Sequence, residues 1–110
     1  MTHRVVEEED EYVFFWSEEL PEPIGGMVEL QKKVHYTEFA RKVGIEGRVI
    51  IEAVIGKDGI VKEAKVAVGL IEDLDQISLE AVRTTLFKPG LQRGKPVNVR
   101  INIPIAFKLR

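Results

Sequence analysis

Lys95-Pro96-Val97-Asn98-Val99-Arg100-Ile101-Asn102-Ile103-Pro104-Ile105-Ala106-Phe107-Lys108-Leu109-Arg110 closes the chain and decides its fold. Val97, Val99, Ile101, Ile103, Ile105, Phe107 and Leu109 are apolar without a miss, and Asn98, Arg100, Asn102, Pro104, Ala106, Lys108 and Arg110 stand between them. Successive side chains of a strand point to opposite faces, so this alternation predicts one long strand with a single dry face. Such a strand needs other strands beside it and a layer above it, and the upstream residues supply both. Arg48 to Ile55 reads as a largely buried strand with Val49, Ile51, Ala53 and Ile55 on one face. Gly56-Lys57-Asp58-Gly59 is a tight turn, because Asp-Gly tolerates positive φ. Its partner strand, Ile60 to Val68, puts Ile60, Ala64, Val66 and Val68 on one face and is made more solvated by Lys62, Glu63 and Lys65.

Helical spacing fills the remainder. Leu74, Ile77, Ser78, Ala81, Val82 and Thr85 form one side of a helix that Asp73 or Asp75 caps and that runs to about Leu86. Phe87-Lys88-Pro89-Gly90 and Gly94-Lys95-Pro96 break the chain after it. Before the hairpin, Met27, Leu30 and Val34 mark one helical face, and a second short helix follows: Thr37 caps it, Phe39, Ala40 and Val43 form its buried side, and Gly44 ends it in the left-handed conformation. Pro21, Pro23 and Gly25-Gly26 predict nothing regular over residues 20–26. Residues 1–20 read as an acidic linker or arm, with Tyr12 to Trp16 dense enough in β-favouring side chains for a short strand.

A hairpin, a crossover helix and a third strand obey the right-handed rule if the third strand lies parallel to the second with the first between them. The expected fold is therefore α+β: two layers, a three-stranded antiparallel sheet in the order 2-1-3, two helical segments packed on one face, and an extra short N-terminal strand as an option. The third strand is then an edge. Pro104 agrees, because a residue without an N–H is tolerated mainly at edges or bulges.

The chain's 110 residues, 45% hydrophobic and 31% charged with no cysteine, fit one domain without disulfides. No apolar run approaches the roughly 20 residues of a membrane helix. Charge is uneven: residues 1–22 hold eight acids against one base, Arg4, and no acid follows Glu80. That basic C-terminal stretch suits an anionic partner or the solvated side of a strand. Enzyme chemistry has little to work with. His3 and His35 lack ligand spacing, Ser17 and Ser78 lie outside any nucleophile elbow, and Glu72-Asp73-Leu74-Asp75 reads as helix capping rather than a metal cluster. No cofactor is expected. A nucleic-acid platform would need aromatics at solvent-facing strand positions, where Arg48, Ile50, Glu52 and Val54 stand. The unusual feature is the long edge strand, a template on which an extended peptide adds as a further strand. About six main-chain bonds at 0.5–1.5 kcal/mol supply roughly 3–9 kcal/mol before the peptide's ordering cost. That makes the pairing weak and reversible.

Residues 21–110 resemble the C-terminal domain family of the TonB energy transducers. The resemblance rests on Pro23-Ile24-Gly25-Gly26 with Leu30, Tyr36 opening a short helix that holds Ala40, Gly44-Ile45-Glu46-Gly47-Arg48-Val49, and Asp58-Gly59-Ile60-Val61. It continues through Leu74-Asp75, Ala81-Val82-Arg83, Phe87-Lys88-Pro89-Gly90, Gly94-Lys95-Pro96-Val97 and Ile103-Pro104-Ile105-Ala106-Phe107. Thr37 departs from the proline usual after the tyrosine, and a capping Thr starts a helix equally well.

The resemblance implies a periplasmic domain that pairs with the extended N-terminal peptide of an outer-membrane transporter. Peptide-binding residues are then Val97, Asn98, Val99, Arg100, Ile101, Asn102 and Ile103, with His35 and Tyr36 as second contacts. It also implies an upstream membrane anchor that meets a proton-driven inner-membrane motor, so the chain reads as an excised domain or processed fragment. Two other expectations use the same edge: a homodimer formed by edge pairing, and an interaction module of an envelope sensor or scaffold.

Overall fold

A computed structural model describes residues 12–109. The acidic run Glu7 to Glu11 and His3 lie outside the described residues. In chain order the elements are β1 (Val13–Phe14), β2 (Glu22–Pro23), α1 (Met27–Gln31), α2 (Glu38–Val43), β3 (Gly47–Ile55), β4 (Val61–Val68), α3 (Glu72–Arg83), β5 (Phe87–Lys88), β6 (Gly90–Gln92) and β7 (Lys95–Phe107). No helix among them is long and apolar enough to cross a membrane.

β3 is the centre of the sheet. It pairs antiparallel with β4 on one side and with β7 on the other, from Gly47↔Phe107 to Ile55↔Val99 without a shift in register. Unbroken register keeps the odd residues of β3, and those of β7 from Val99 onward, on the helical side, where Val49, Ile51, Ala53, Ile55, Ile103, Ile105 and Phe107 are buried. Leu30 of α1, Ala40 of α2 and Leu74, Leu79, Ala81 and Val82 of α3 close over them as one core. The opposite face is solvated. There Val54 lies between Arg100 and Glu63, its partners on the two flanking strands, and their ion pair at 3.9 Å spans it, leaving it 3% exposed.

Local chemistry explains most boundaries. The Thr37 hydroxyl accepts the Ala40 N–H at 3.1 Å to cap α2, and also donates to Asp73 Oδ2 at 2.7 Å, tying the start of α2 to that of α3. Gly44 closes α2 with φ 86, and the N–H groups of Gly44 and Ile45 both reach the Ala40 carbonyl. In the β3–β4 turn, Gly56 N–H donates to the Ile60 carbonyl at 2.9 Å, and Asp58 Oδ1 accepts the Ile60 N–H at 3.0 Å.

Several expectations need correction. The sheet holds five strands, not three, and is not wholly antiparallel: β1 runs parallel to β7, with Val13 opposite Asn98 and Phe14 opposite Val99. β6 pairs with the first residues of β7 through a two-residue turn, Arg93-Gly94, both at positive φ. Residues 20–26 are not wholly irregular, because β2 pairs with β5 in a separate two-stranded sheet. Three helices form, α1 ending at Gln31 rather than Val34, and of the side of α2 expected to be buried only Ala40 is, Phe39 and Val43 being exposed. Asp73 and Asp75 do not cap α3 from the N-cap position, which Ile71 occupies; Asp75 Oδ1 instead accepts the Leu70 N–H at 2.8 Å. Finally, β4 shifts register at Ile50/Ile51 and Val54/Ile55, so Val61, Ala64 and Val66 face the core while Ile60 and Val68 are exposed.

Candidate functional site

β1 lies outside β7 only at Asn98 and Val99, so the open edges of the sheet are β4 and the rest of β7, and they differ in character. β4 is interrupted by its two register shifts and carries Lys62, Glu63 and Lys65, devices that discourage strand addition. β7 is regular, and its outward face can be read from one side chain. Gln31, at the end of α1, accepts the Ala106 N–H on Oε1 at 2.7 Å and donates from Nε2 to the Ala106 carbonyl at 3.2 Å. The main-chain groups of Ala106 therefore point away from β3. Alternation along an antiparallel strand then aims those of Asn98, Arg100, Asn102 and Pro104 the same way, and those of Val99, Ile101 and Ile103 toward β3.

That parity sorts the seven strand residues expected to bind peptide. Val97 pairs with Gly90 of β6. Val99, Ile101 and Ile103 spend their main-chain groups on β3 and their side chains on the inner face. Asn98 and Val99 lie opposite β1, whose parallel ladder, by the same parity, engages both main-chain groups of Asn98 and the N–H of Arg100. Asn98 is 5% exposed; its Oδ1 accepts the Lys57 N–H at 3.0 Å and its Nδ2 donates to the Tyr12 carbonyl at 3.2 Å, so it fastens the β3–β4 turn to the arm. No strand among the described residues lies outside the stretch from Arg100 to Ile105. What stays open is a window offering the N–H of Asn102 and the carbonyls of Arg100, Asn102 and Pro104. Pro104 costs the sheet nothing, since its missing N–H would have pointed outward.

The expected second contacts separate. Tyr36 stands at the far end of β7: its hydroxyl donates to the Ile45 carbonyl at 2.7 Å, its ring meets Phe107 edge-on at 5.5 Å, and Arg41 lies over it at 5.8 Å. Desolvation, then the Glu46 carboxylate, push that hydroxyl above the ordinary tyrosine range, while Arg41 pulls the other way. His35, exposed, borders a groove of about 450 Å³ with Lys33, Ile77, Glu80, Ala81 and Thr84, on α3 rather than on β7. Nothing in the local sequence marks Gln31, because its partner is 75 residues away.

Comparison with known proteins fits this frame. Residues 32–109 match the family described as Gram-negative bacterial TonB protein C-terminal. The chain belongs to that family. It is 40% identical over 84 residues to Protein TonB of Vibrio cholerae, covering 76% of this chain and 34% of that protein, so it spans about one third of this relative's length. It is also similar to two solution structures of the Helicobacter pylori TonB C-terminal domain. One matches with a TM-score of 0.59 at 28% identity over 76% of this chain and 77% of the other; the second with 0.57 at 27% identity over 74% and 91%.

In this TonB C-terminal domain, Gln31 precedes the family match by one residue and limits the edge at its C-terminal end. Its amide supplies one donor and one acceptor at strand spacing, in place of a neighbouring strand. Gln31→Ala is expected to raise the hydrogen-exchange rate of the Ala106 amide by about tenfold and to lower stability by about 1 kcal/mol, read from exchange-detected NMR and urea unfolding. An unchanged Ala106 rate would contradict the parity of β7.

Proposed function

We propose that this domain is the periplasmic end of a TonB energy transducer, gripping the extended N-terminal peptide of an outer-membrane transporter along β7 and passing to it force from a proton-driven inner-membrane motor. The observation that carries the reading is the open window from Arg100 to Pro104, closed by β1 at one end and by Gln31 at the other. A peptide strand laid there forms up to four main-chain bonds, worth roughly 2–6 kcal/mol. That falls short of the about 8 kcal/mol of micromolar binding, so side chains must contribute. Arg100, half-buried and held by Glu63 only at 3.9 Å, and exposed Asn102 flank the window on its solvent face. Mechanically, a strand pulled along its axis loads its bonds together rather than in turn, which suits a grip that transmits force yet releases.

The test is a calorimetric titration with synthetic peptides from the N-terminal segments of the source organism's outer-membrane transporters. Binding by at least one peptide with Kd in the micromolar range is expected, in 1:1 stoichiometry. Self-pairing of two β7 edges would use the same groups, and would appear instead as a concentration-dependent dimer without peptide. No heat with any peptide from a folded protein would contradict the reading.

A further inference from the structure

Where it covers the edge, β1 is held by a two-residue ladder and by the Asn98 amide on the Tyr12 carbonyl at 3.2 Å, and it is held by more contacts just beyond. Ser17 is fully buried and its hydroxyl donates to the Glu19 carbonyl at 2.7 Å. Glu19 and Leu91 exchange both main-chain bonds, at 3.1 and 2.8 Å, along the side of β6 away from β7. The Glu18 carboxylate accepts the Arg93 N–H at 2.8 Å, and the Gln92 side chain accepts the Glu18 N–H at 3.1 Å. The chain therefore crosses the β6–β7 hairpin between Phe14 and Ser17. It passes so closely that a Cβ on Gly90 would sit 2.8 Å from Ser17 Oγ and 2.7 Å from Val99 Cγ2. Ahead of that anchor, β1 is two residues long, and Tyr12, Phe15 and Trp16 are each more than half exposed. Residues 12–16 thus form a tethered flap with a fixed hinge and little buried surface to hold it down.

We propose that residues 12–16 are a built-in competitor for the β7 edge, displaced when a peptide pairs. The inference rests on the reading of β7 as the peptide-binding edge. With the flap seated, a peptide meets four main-chain groups between Arg100 and Pro104. With it lifted, the N–H and carbonyl of Asn98 and the N–H of Arg100 join them, and the pairing becomes continuous. The flap and a longer peptide cannot share the place opposite Asn98, because each needs the same groups. A seated flap also sets where a bound peptide strand stops. Tyr12 and Phe14 pack edge-on at 4.7 Å on one side of the flap, beside a cleft of about 360 Å³ that Lys57, Lys95 and Pro96 complete.

Trp16 is the single tryptophan and lies in the flap, so the whole chain reports on its own displacement. The experiment titrates the whole chain and its Phe14→Pro variant, which loses the flap's central N–H, with one transporter N-terminal peptide. Trp16 emission and amide shifts are followed together. In the parent, Trp16 emission is expected to change on binding; the variant is expected to bind about tenfold more tightly, with its footprint extended to Asn98. Equal affinity, a footprint confined to Arg100–Pro104 in both and flat Trp16 emission would overturn the flap and leave the edge reading standing. Binding by neither chain would overturn the edge reading, and the proposal with it. A peptide-free measurement guards against a variant that fails to fold: in the parent, the Asn98 amide is expected to exchange at least about 100-fold faster than that of Ile103, and equal rates would overturn the proposal.

Discussion

Gly59→Ala is expected to cost about 3 kcal/mol or more and to lower Tm by roughly 12–24 °C. Gly59 ends the β3–β4 turn at φ 84, where an L side chain is strained. Its carbonyl also accepts the Phe87 N–H at 2.9 Å, bringing the start of β5 onto the turn. A Cβ there would fall inside van der Waals contact of the Phe87 carbonyl oxygen, which is backbone and cannot swing aside. Phe87 is 3% exposed in the core and leads directly into the β6–β7 hairpin, so the strain falls on the segment that sets β7 in register. Thermal unfolding by circular dichroism checks this; a fall in Tm under 4 °C would show that the turn and β5 are not pressed together.

Asn102→Pro is expected to leave the fold intact and to weaken peptide binding by roughly 5- to 150-fold. Asn102 lies opposite Glu52 with its main-chain groups directed outward, so no bond to β3 is lost. Pro104 already occupies the same situation two residues on, opposite Ile50, and the strand runs through it. Asn102 supplies the one N–H that β1 and Gln31 leave open in the window. Its loss sets a peptide carbonyl against a proline ring, a cost of about 1–3 kcal/mol for an unmade bond. Asn102→Ala keeps the N–H and is expected to bind within about twofold of the parent. Equal loss in both variants, measured by titration calorimetry, would place the effect in the side chain and contradict the edge geometry.

Where the chain carries its own periodicity, its structure was legible from sequence. The odd residues of β7 from Val97 to Phe107, the turn at Gly56 to Gly59, the Thr37 cap and the left-handed Gly44 each follow from local chemistry and take the expected place, while Leu109, the last position of the alternation, lies beyond the end of the strand. Two-residue strands carry no period at all. β1 and β2 are fixed by partners far along the chain, Val13 by Asn98 and Pro23 by Phe87, so Tyr12 to Trp16 could be read as a strand but not placed on β7. Ile60 and Val68 lie off the core face that alternation predicts for them, because a bulge at either end of the hairpin breaks the simple period of β4. The candidate site was legible as a strand and not as a window. Its limits depend on Gln31, on Asn98 and on which main-chain groups face outward, and only the paired register decides those.

The most direct test of the central claim is an amide-shift NMR titration of the whole chain with a transporter N-terminal peptide. The account predicts the largest shift at Asn102, flanked by Arg100 and Ile103, with the amides of β4 unmoved. Shifts centred on Val61 to Val68, or on the groove beside His35, with Asn102 unchanged, would contradict it.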